Sequence, residues 1–319
     1  MKFKFINNDN KIALEASSPK QLNVNLTETI EKKGMKPCAV AVSINEPKVR
    51  VCPFALENIA IKDIKHHLIS EAVEIMSLTP DEIAIDFQIT RSDPKMIRGI
   101  YICMPKSNLE NYLQIIDQKR FNTVKITEQF LVSVDSLFQQ GKLNGERICF
   151  LDFLTKDTIS LFIGNKQECE LLRKVRYEDH EEAQKEIIQS LRSASAKSRI
   201  KHYDYIYYQG AIEQMDKLTA SLNKTFDAET GEIAFIDHKA ALTSEKTYFS
   251  LNLLKSYLFS NNHVKYIQMG ANILLAVCVM ISALMGLQML KKNADINKVK
   301  ESYQDSDYQY AVKLRDNLK

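Results

Sequence analysis

The chain has no tryptophan, only nine glycines and seven prolines in 319 residues, and no excess of either charge, with 43 lysines and arginines against 40 aspartates and glutamates. Each shortage excludes something. With a net charge of +3 and no Arg-rich or Gly-rich tract, nothing argues for nucleic acid as a partner. The six cysteines, Cys38, Cys52, Cys103, Cys149, Cys169 and Cys278, stand singly with no Cys-x-x-Cys pair, most of them inside apolar strand-like runs. That is how reduced, buried thiols look. The six histidines make no metal spacing, and adjacent His66 and His67 point in different directions on a helix. No Gly-x-Ser-x-Gly elbow, Walker loop or Cys/His nucleophile pair occurs, and Gly141-Lys-Leu-Asn-Gly145 reads as a loop, with no strand leading into it. The N-terminus, Met1-Lys-Phe-Lys-Phe-Ile-Asn-Asn8, lacks a sustained apolar run and so carries no export signal.

What is present is enough apolar material, 45% of residues against 26% charged, to bury a full core in two subdomains. The longest uncharged stretch runs from Tyr266 to Leu290, bracketed by Lys265 and Lys291. As a helix, its part from Met269 to Leu290 measures roughly 33 Å, which predicts a single membrane span across a hydrocarbon core of about 30 Å. Within it, Ser282 and Gly286 form a small-xxx-small pair, a candidate packing face between membrane helices. Beyond it, Ile296, Val299, Tyr303, Ala311, Leu314 and Leu318 give a broken heptad, enough for a stub of coiled coil.

Strand and helix signals alternate before the span. Pro37–Ser43 and Val49–Phe54 are β-rich runs, with Asn45-Glu-Pro47 as a hairpin-like connection. Ile64, Leu68, Ala72 and Ile75 recur at helical spacing, and the pattern stops at Leu78-Thr-Pro80. Ile83, Ile85, Phe87 and Ile89 share one face of a strand. Another strand at Ile100–Met104 leads into a helix marked by Leu109, Leu113 and Ile116, with Ser107 expected as its N-cap. The second block predicts strands at Arg147–Phe153, Thr158–Ile163 and Glu168–Arg176, then a helix at Glu181–Arg192 and a loose Ser193–Ser198. A Tyr-rich strand at Tyr203–Tyr208 and a helix at Ala211–Phe226 complete it. The pattern is α/β in two similar halves.

Ala39-Val-Ala-Val-Ser-Ile44, followed by Glu71-Ala-Val-Glu-Ile-Met-Ser-Leu-Thr-Pro-Asp-Glu-Ile-Ala-Ile-Asp-Phe-Gln-Ile89, resembles the actin-like PilM family of type IV pilus assembly; the Asp86-Phe-Gln88 strand is the most specific piece. Arg147–Leu161 is similar to that family's second phosphate-loop hairpin. The layout, one such domain before one membrane helix, is also that of the GspL family of type II secretion. Ser250-Leu-Asn-Leu-Leu-Lys255 resembles the short cytoplasmic peptide ahead of the membrane helix in the PilN family. The resemblance implies an actin-like, ribonuclease-H-like fold of two subdomains at residues 1–243, a linker with the PilN-like peptide at 244–265, a single transmembrane helix at 266–290, and a short extracytoplasmic helical tail at 291–319. It implies an inner-membrane location with the large domain in the cytoplasm, although Lys291, Lys292, Lys298 and Lys300 outnumber Lys255 and Lys265 and would favour the reverse. The implied partners are inner-membrane pilus or secretion platform proteins and the lipid bilayer, with a homodimer left open.

The same resemblance exposes what this sequence lacks. An actin-like nucleotide site needs Gly-rich hairpin tips, because backbone N–H groups must come close to phosphate oxygens. The first hairpin reads Phe5-Ile-Asn-Asn-Asp-Asn-Lys11, with Asn7, Asn8 and Asp9 in place of glycine. The second, Asp152-Phe-Leu-Thr-Lys-Asp-Thr158, keeps the aspartate but puts Phe153 and Leu154 where the glycine belongs, and the expected Gly-Gly turn has become Gln209-Gly210. The expectation is therefore a structural scaffold that is not an enzyme and holds no cofactor or metal; the alternative is an actin-like ATPase with an atypical site. The candidate interaction residues are Leu251, Asn252, Leu253 and Leu254. In an extended bound segment Leu251 and Leu253 would fill pockets while Asn252 bonds backbone groups at the groove's edge. In the other reading the segment is the first turn of a helix into the span, with Leu251, Leu254 and Leu258 on one face.

Overall fold

A computed structural model describes residues 11–33, 39–155, 157–198, 200, 202–210, 212, 214–234, 239–244, 247–258 and 261–317. The chain divides into two compact units, Met1–Leu258 and Phe259–Lys319.

The first unit is built on two sheets with a shared logic. Strand β1 (Lys11–Ala16) leads through Ser17-Ser18 directly into α1 (Pro19–Lys33), whose Leu22 and Leu26, one turn apart, are fully buried. Then β2 (Ala39–Ile44), buried at every position, pairs parallel with β1 on one side and with β6 (Asn122–Glu128) on the other. A parallel sheet covered on both faces needs such a continuous apolar run. The larger sheet has the order β11-β10-β7-β8-β9, formed by β7 (Ile148–Thr155), β8 (Thr158–Gly164), β9 (Cys169–Arg176), β10 (Tyr205–Gln209) and β11 (Glu229–Glu232). Its parallel set β7-β10-β11 repeats the parallel set β1-β2-β6. The difference is on the far side of β7, where β8 and β9 add an antiparallel hairpin ladder. Among the described residues nothing corresponds to them beside β1, which is an edge strand.

Between β2 and β6 lies a small lobe, with β3 (Arg50–Glu57), α2 (Ile64–Met76), β4 (Ile83–Ser92) and β5 (Met96–Pro105), then α3 (Lys106–Gln118). Its antiparallel sheet has the order β3-β5-β4. Helix α2 lays Ile64, Leu68 and Ala72 on that sheet. It stops at Ser77, which takes the left-handed conformation (φ 53°) and returns its N–H to the Val73 carbonyl. Thr79 and Glu82 then close a capping box around Pro80 that starts β4. Helix α4 (Gln129–Gln139) is buried from Phe130 to Phe138 because it is packed between the two large sheets. Phe130 stacks on Phe150 at 5.7 Å, and Phe138 meets Phe162 edge-on at 5.8 Å. Each such ring removed from water stabilises the unit by about 2 kcal/mol. A second core lies on the outer face of the five-stranded sheet, under α5 (His180–Ser198) and α6 (Met215–Phe226). The short helices α7 (Lys239–Thr243) and α8 (Leu253–Leu258) end the unit.

Several expectations are corrected. β2 and β3 form no hairpin, because β2 enters the parallel sheet while β3 crosses into the small lobe and pairs with β5. Ser107 is not an N-cap; α3 starts one residue earlier, behind Pro105. The loose Ser193–Ser198 is the last part of α5, held by the buried Ala194. The expected transmembrane helix is overturned, since no helix among the described residues is long and apolar enough to cross a membrane. The apolar stretch belongs to α9, 57 residues from Asn261 to Asn317. The tail after it continues the same helix.

Candidate functional site

The densest set of long-range polar contacts in the first unit surrounds residues 248–255. This segment lies between two open strand edges: β6, at the edge of the parallel sheet, and β4, at the edge of the small lobe's sheet. In β6, Thr123 and Lys125 face β2, so the backbone groups of Val124 and Ile126 point outward. The Asn252 side chain meets both: Oδ1 accepts from the Ile126 N–H at 2.9 Å, and Nδ2 donates to the Val124 carbonyl at 3.1 Å. One side-chain amide thus takes the place of a neighbouring strand. The same Oδ1 accepts from the Leu254 N–H at 3.1 Å, and the Lys255 N–H bonds the Asn252 carbonyl at 3.0 Å, so Asn252 also caps α8.

From β4, Asp86 and Gln88, two residues apart and so on one face, grip the segment's backbone. Asp86 Oδ2 accepts from the Asn252 N–H at 2.7 Å and pairs with Lys255 Nζ at 3.2 Å. Gln88 Oε1 accepts from the Ser250 N–H at 2.7 Å, while its Nε2 donates to the Tyr248 carbonyl at 2.9 Å. Gly99 on β5 makes that placement possible: a Cβ there would stand 2.2 Å from the Gln88 carbonyl oxygen and 2.5 Å from the Phe54 ring. From α4, Asp135 Oδ1 accepts the N–H groups of Tyr248 at 2.5 Å and Phe249 at 3.2 Å. Burial pushes the Asp135 carboxyl above its ordinary range, against the lowering effect of those two amides, of nearby Lys125 and of Gln139. Burial likewise lowers Lys125, opposed by Asp135. Phe249, Leu251 and Leu253 are fully buried in the main core; Phe249 packs against Phe138 and Phe162. Leu254, at 9% exposure, lies at its margin.

Ser250–Asn252 has no regular secondary structure, and Leu253 opens α8. Sequence reasoning named Leu251, Asn252, Leu253 and Leu254 but missed the residues that receive them. In the sequence Asp86 and Gln88 stand out only as part of a family-like strand, and Asp135 is not singled out. Ser282 and Gly286 lie exposed on α9: Ser282 Oγ donates to the Cys278 carbonyl at 2.9 Å, and nothing lies within 4 Å of a Cβ placed on Gly286.

A second region of interest is the inner face of the five-stranded sheet. One cross-strand row, Tyr207, Phe150, Phe162 and Leu172, is apolar and belongs to the main core. The next row on the same face, Gln209, Asp152, Ser160 and Lys174, is polar throughout. Here the apolar packing between the two halves gives out. Gln209 is 1% exposed, yet its side-chain amide finds no hydrogen-bond partner among the described residues. β7 runs on to Thr155 and β8 begins at Thr158. Phe153 is therefore not at the tip as expected: the Cys149, Leu151, Phe153 alternation sends it into the outer core, 5% exposed. Of the Gly-Gly turn expected after β10, Gly210 is present, with φ 76°. The Leu154 side chain and the hairpin expected at Asn7, Asn8 and Asp9 lie outside the described residues, as does Cys38.

No protein-family model and no curated protein matches the chain. Among solved structures it is similar to a PilM-PilN type IV pilus biogenesis complex, with 13% identity, 78% of this chain and 81% of that chain covered, and a TM-score of 0.51. It also matches a Bacteroides thetaiotaomicron protein with an actin-like ATPase fold and unknown function (13% identity, 70% and 81% covered, TM-score 0.45). A third match is the cytoplasmic domain of EpsL, an inner membrane component of the type II secretion system of Vibrio cholerae (9% identity, 76% and 81% covered, TM-score 0.41). Together with the repeated parallel sets of its two sheets, the first likeness identifies the fold of the first unit as actin-like α/β.

Proposed function

We propose that this chain is a structural component of the assembly platform of a type IV pilus or type II secretion-like machine, its actin-like unit serving as a protein-interaction scaffold without hydrolase activity, on the cytoplasmic side of the inner membrane. The observation that carries the reading is Asn252, whose side chain completes the open edge of β6 while its backbone is held by Asp86. The likeness to a PilM-PilN complex supports it, because the segment that resembles a PilN peptide lies here in a groove of its own chain. On this reading the chain unites two parts of such a platform, and its partners are other inner-membrane platform proteins. The loss of hydrolase chemistry is supported by the sequence, which has Asn7, Asn8 and Asp9 in place of glycine at the first hairpin and no glycine between β7 and β8 at the second. A phosphate cradle needs backbone amides free of side chains, and neither place offers one. Calorimetric titration with Mg-ATP tests the claim: no saturable heat is expected up to about 1 mM nucleotide, the upper end of ordinary substrate affinities. Saturable micromolar binding would restore the ATPase reading.

A further inference from the structure

Where the main core ends and the polar row begins, the Lys174 side chain crosses between the halves. Lys174 lies on β9, yet its Nζ stands 2.5 Å from Glu128 Oε1 at the end of β6, and it donates to Asn45 Oδ1 just beyond β2 at 2.8 Å. Both partners are fixed from behind. Glu128 caps α4, its Oε2 accepting from the Leu131 N–H at 2.7 Å, and the Asn45 N–H bonds the Ala16 carbonyl at the end of β1 at 2.9 Å. One ammonium group thus ties the five-stranded sheet to the ends of all three strands of the parallel sheet.

We propose that Lys174 is a built-in fastener that holds the two halves of the actin-like unit in one fixed arrangement with no ligand bound between them. Burial gives the contact its force. The Glu128 side chain is 2% exposed and that of Lys174 20%. A carboxylate so far from water is strongly destabilising once its cation is removed, unlike an exposed surface pair. Beside the polar row the Lys174 contact adds a charged link to the apolar core around α4, to the packing of β3 on β9 and to the Arg98–Glu168 pair, which also join the two halves. A scaffold whose groove spans both edge strands gains from this, since it keeps its shape at all times.

The inference rests on the reading that no nucleotide binds between the halves, and hydrogen exchange on the full chain tests it directly. In Lys174→Met, amides of residues 43–46 and 127–132 should exchange at least tenfold faster, while residues 203–209 and 249–254 keep their protection. Lys174→Arg, which retains the charge, should stay within about threefold of the unmodified chain. Unchanged exchange in Lys174→Met, an equal rise in Lys174→Arg, or a rise shared by the two control segments would overturn the proposal. Should Lys174→Met not fold, Glu128→Gln carries the same comparison, since it keeps the cap acceptor and removes the charge. A failure of the no-nucleotide reading alone would look different: added Mg-ATP would slow exchange at residues 150–158 of the unmodified chain.

Discussion

Replacing Asn252 by alanine removes three hydrogen bonds at once and strands the groups that made them. The Ile126 N–H and Val124 carbonyl lose this partner, and the first turn of α8 loses its cap. A lost hydrogen bond costs about 1 kcal/mol net, and each partly buried backbone group left without a partner adds about 1–3 kcal/mol if water cannot reach it. The site is partly buried, so water will relieve part of this. Docking of residues 248–255 should therefore weaken by about 2–4 kcal/mol, roughly 30- to 700-fold in the docked-to-released ratio. Hydrogen exchange read at the amides of Ile126, Asn252 and Leu254 reports that ratio directly. Asn252→Asp separates the roles: it keeps the acceptor for Ile126 and for the cap, but sets a carboxylate against the Val124 carbonyl and beside Asp86, and should lie close to the alanine variant. Protection within twofold of the original in Asn252→Ala would refute the reasoning, because the amide would then contribute nothing to the docking.

Asp135 offers a test with a definite pH sign. Its folded value is raised, so the stability linked to it is fully present below the unfolded carboxylate value near 4 and is lost as pH rises through the folded value. Asp135→Asn keeps an acceptor for the Tyr248 and Phe249 amides, and should match or exceed the original in urea unfolding at pH 7 while abolishing that pH dependence. Asp135→Ala should lose about 2–4 kcal/mol by orphaning both amides, and equal losses in the two variants would contradict the account. Phe249→Ala removes a fully buried ring between Phe138 and Phe162 and should cost about 3–5 kcal/mol in the same assay; a loss under 1 kcal/mol would mean the segment is not part of the core.

What the sequence revealed was mostly local. Ile64, Leu68 and Ala72 on α2, and Ile83 and Ile85 on β4, could be read because one apolar face fixes both element type and orientation. Pairing could not be read. β2 and β3 are separated by a turn-like Asn45-Glu-Pro47 but belong to different sheets, and only the parallel partners β1 and β6, distant in sequence, decide that. Phe153 looked like an obstacle at a hairpin tip because the two extra residues of β7 are invisible without the register of β8. The segment at 250–254 stood out by resemblance, whereas its receivers Asp86, Gln88 and Asp135 lie more than 100 residues earlier, where a carboxylate or amide in a strand or helix carries no mark of its partner. The apolar stretch of α9 suggested a span, yet among the described residues no helix is long and apolar enough to cross a membrane; the helical tail expected after it continues the same helix to Asn317.

The central claim is that the actin-like unit is a receptor for a segment of its own chain. Titration calorimetry with residues 1–243 in the cell and a synthetic peptide of residues 247–258 in the syringe measures this most directly. The account predicts one saturable site per chain for the native peptide and at least a 30-fold weaker one for the Asn252→Ala peptide. Absence of heat with the native peptide on a folded receptor, or equal affinity for both peptides, would contradict it.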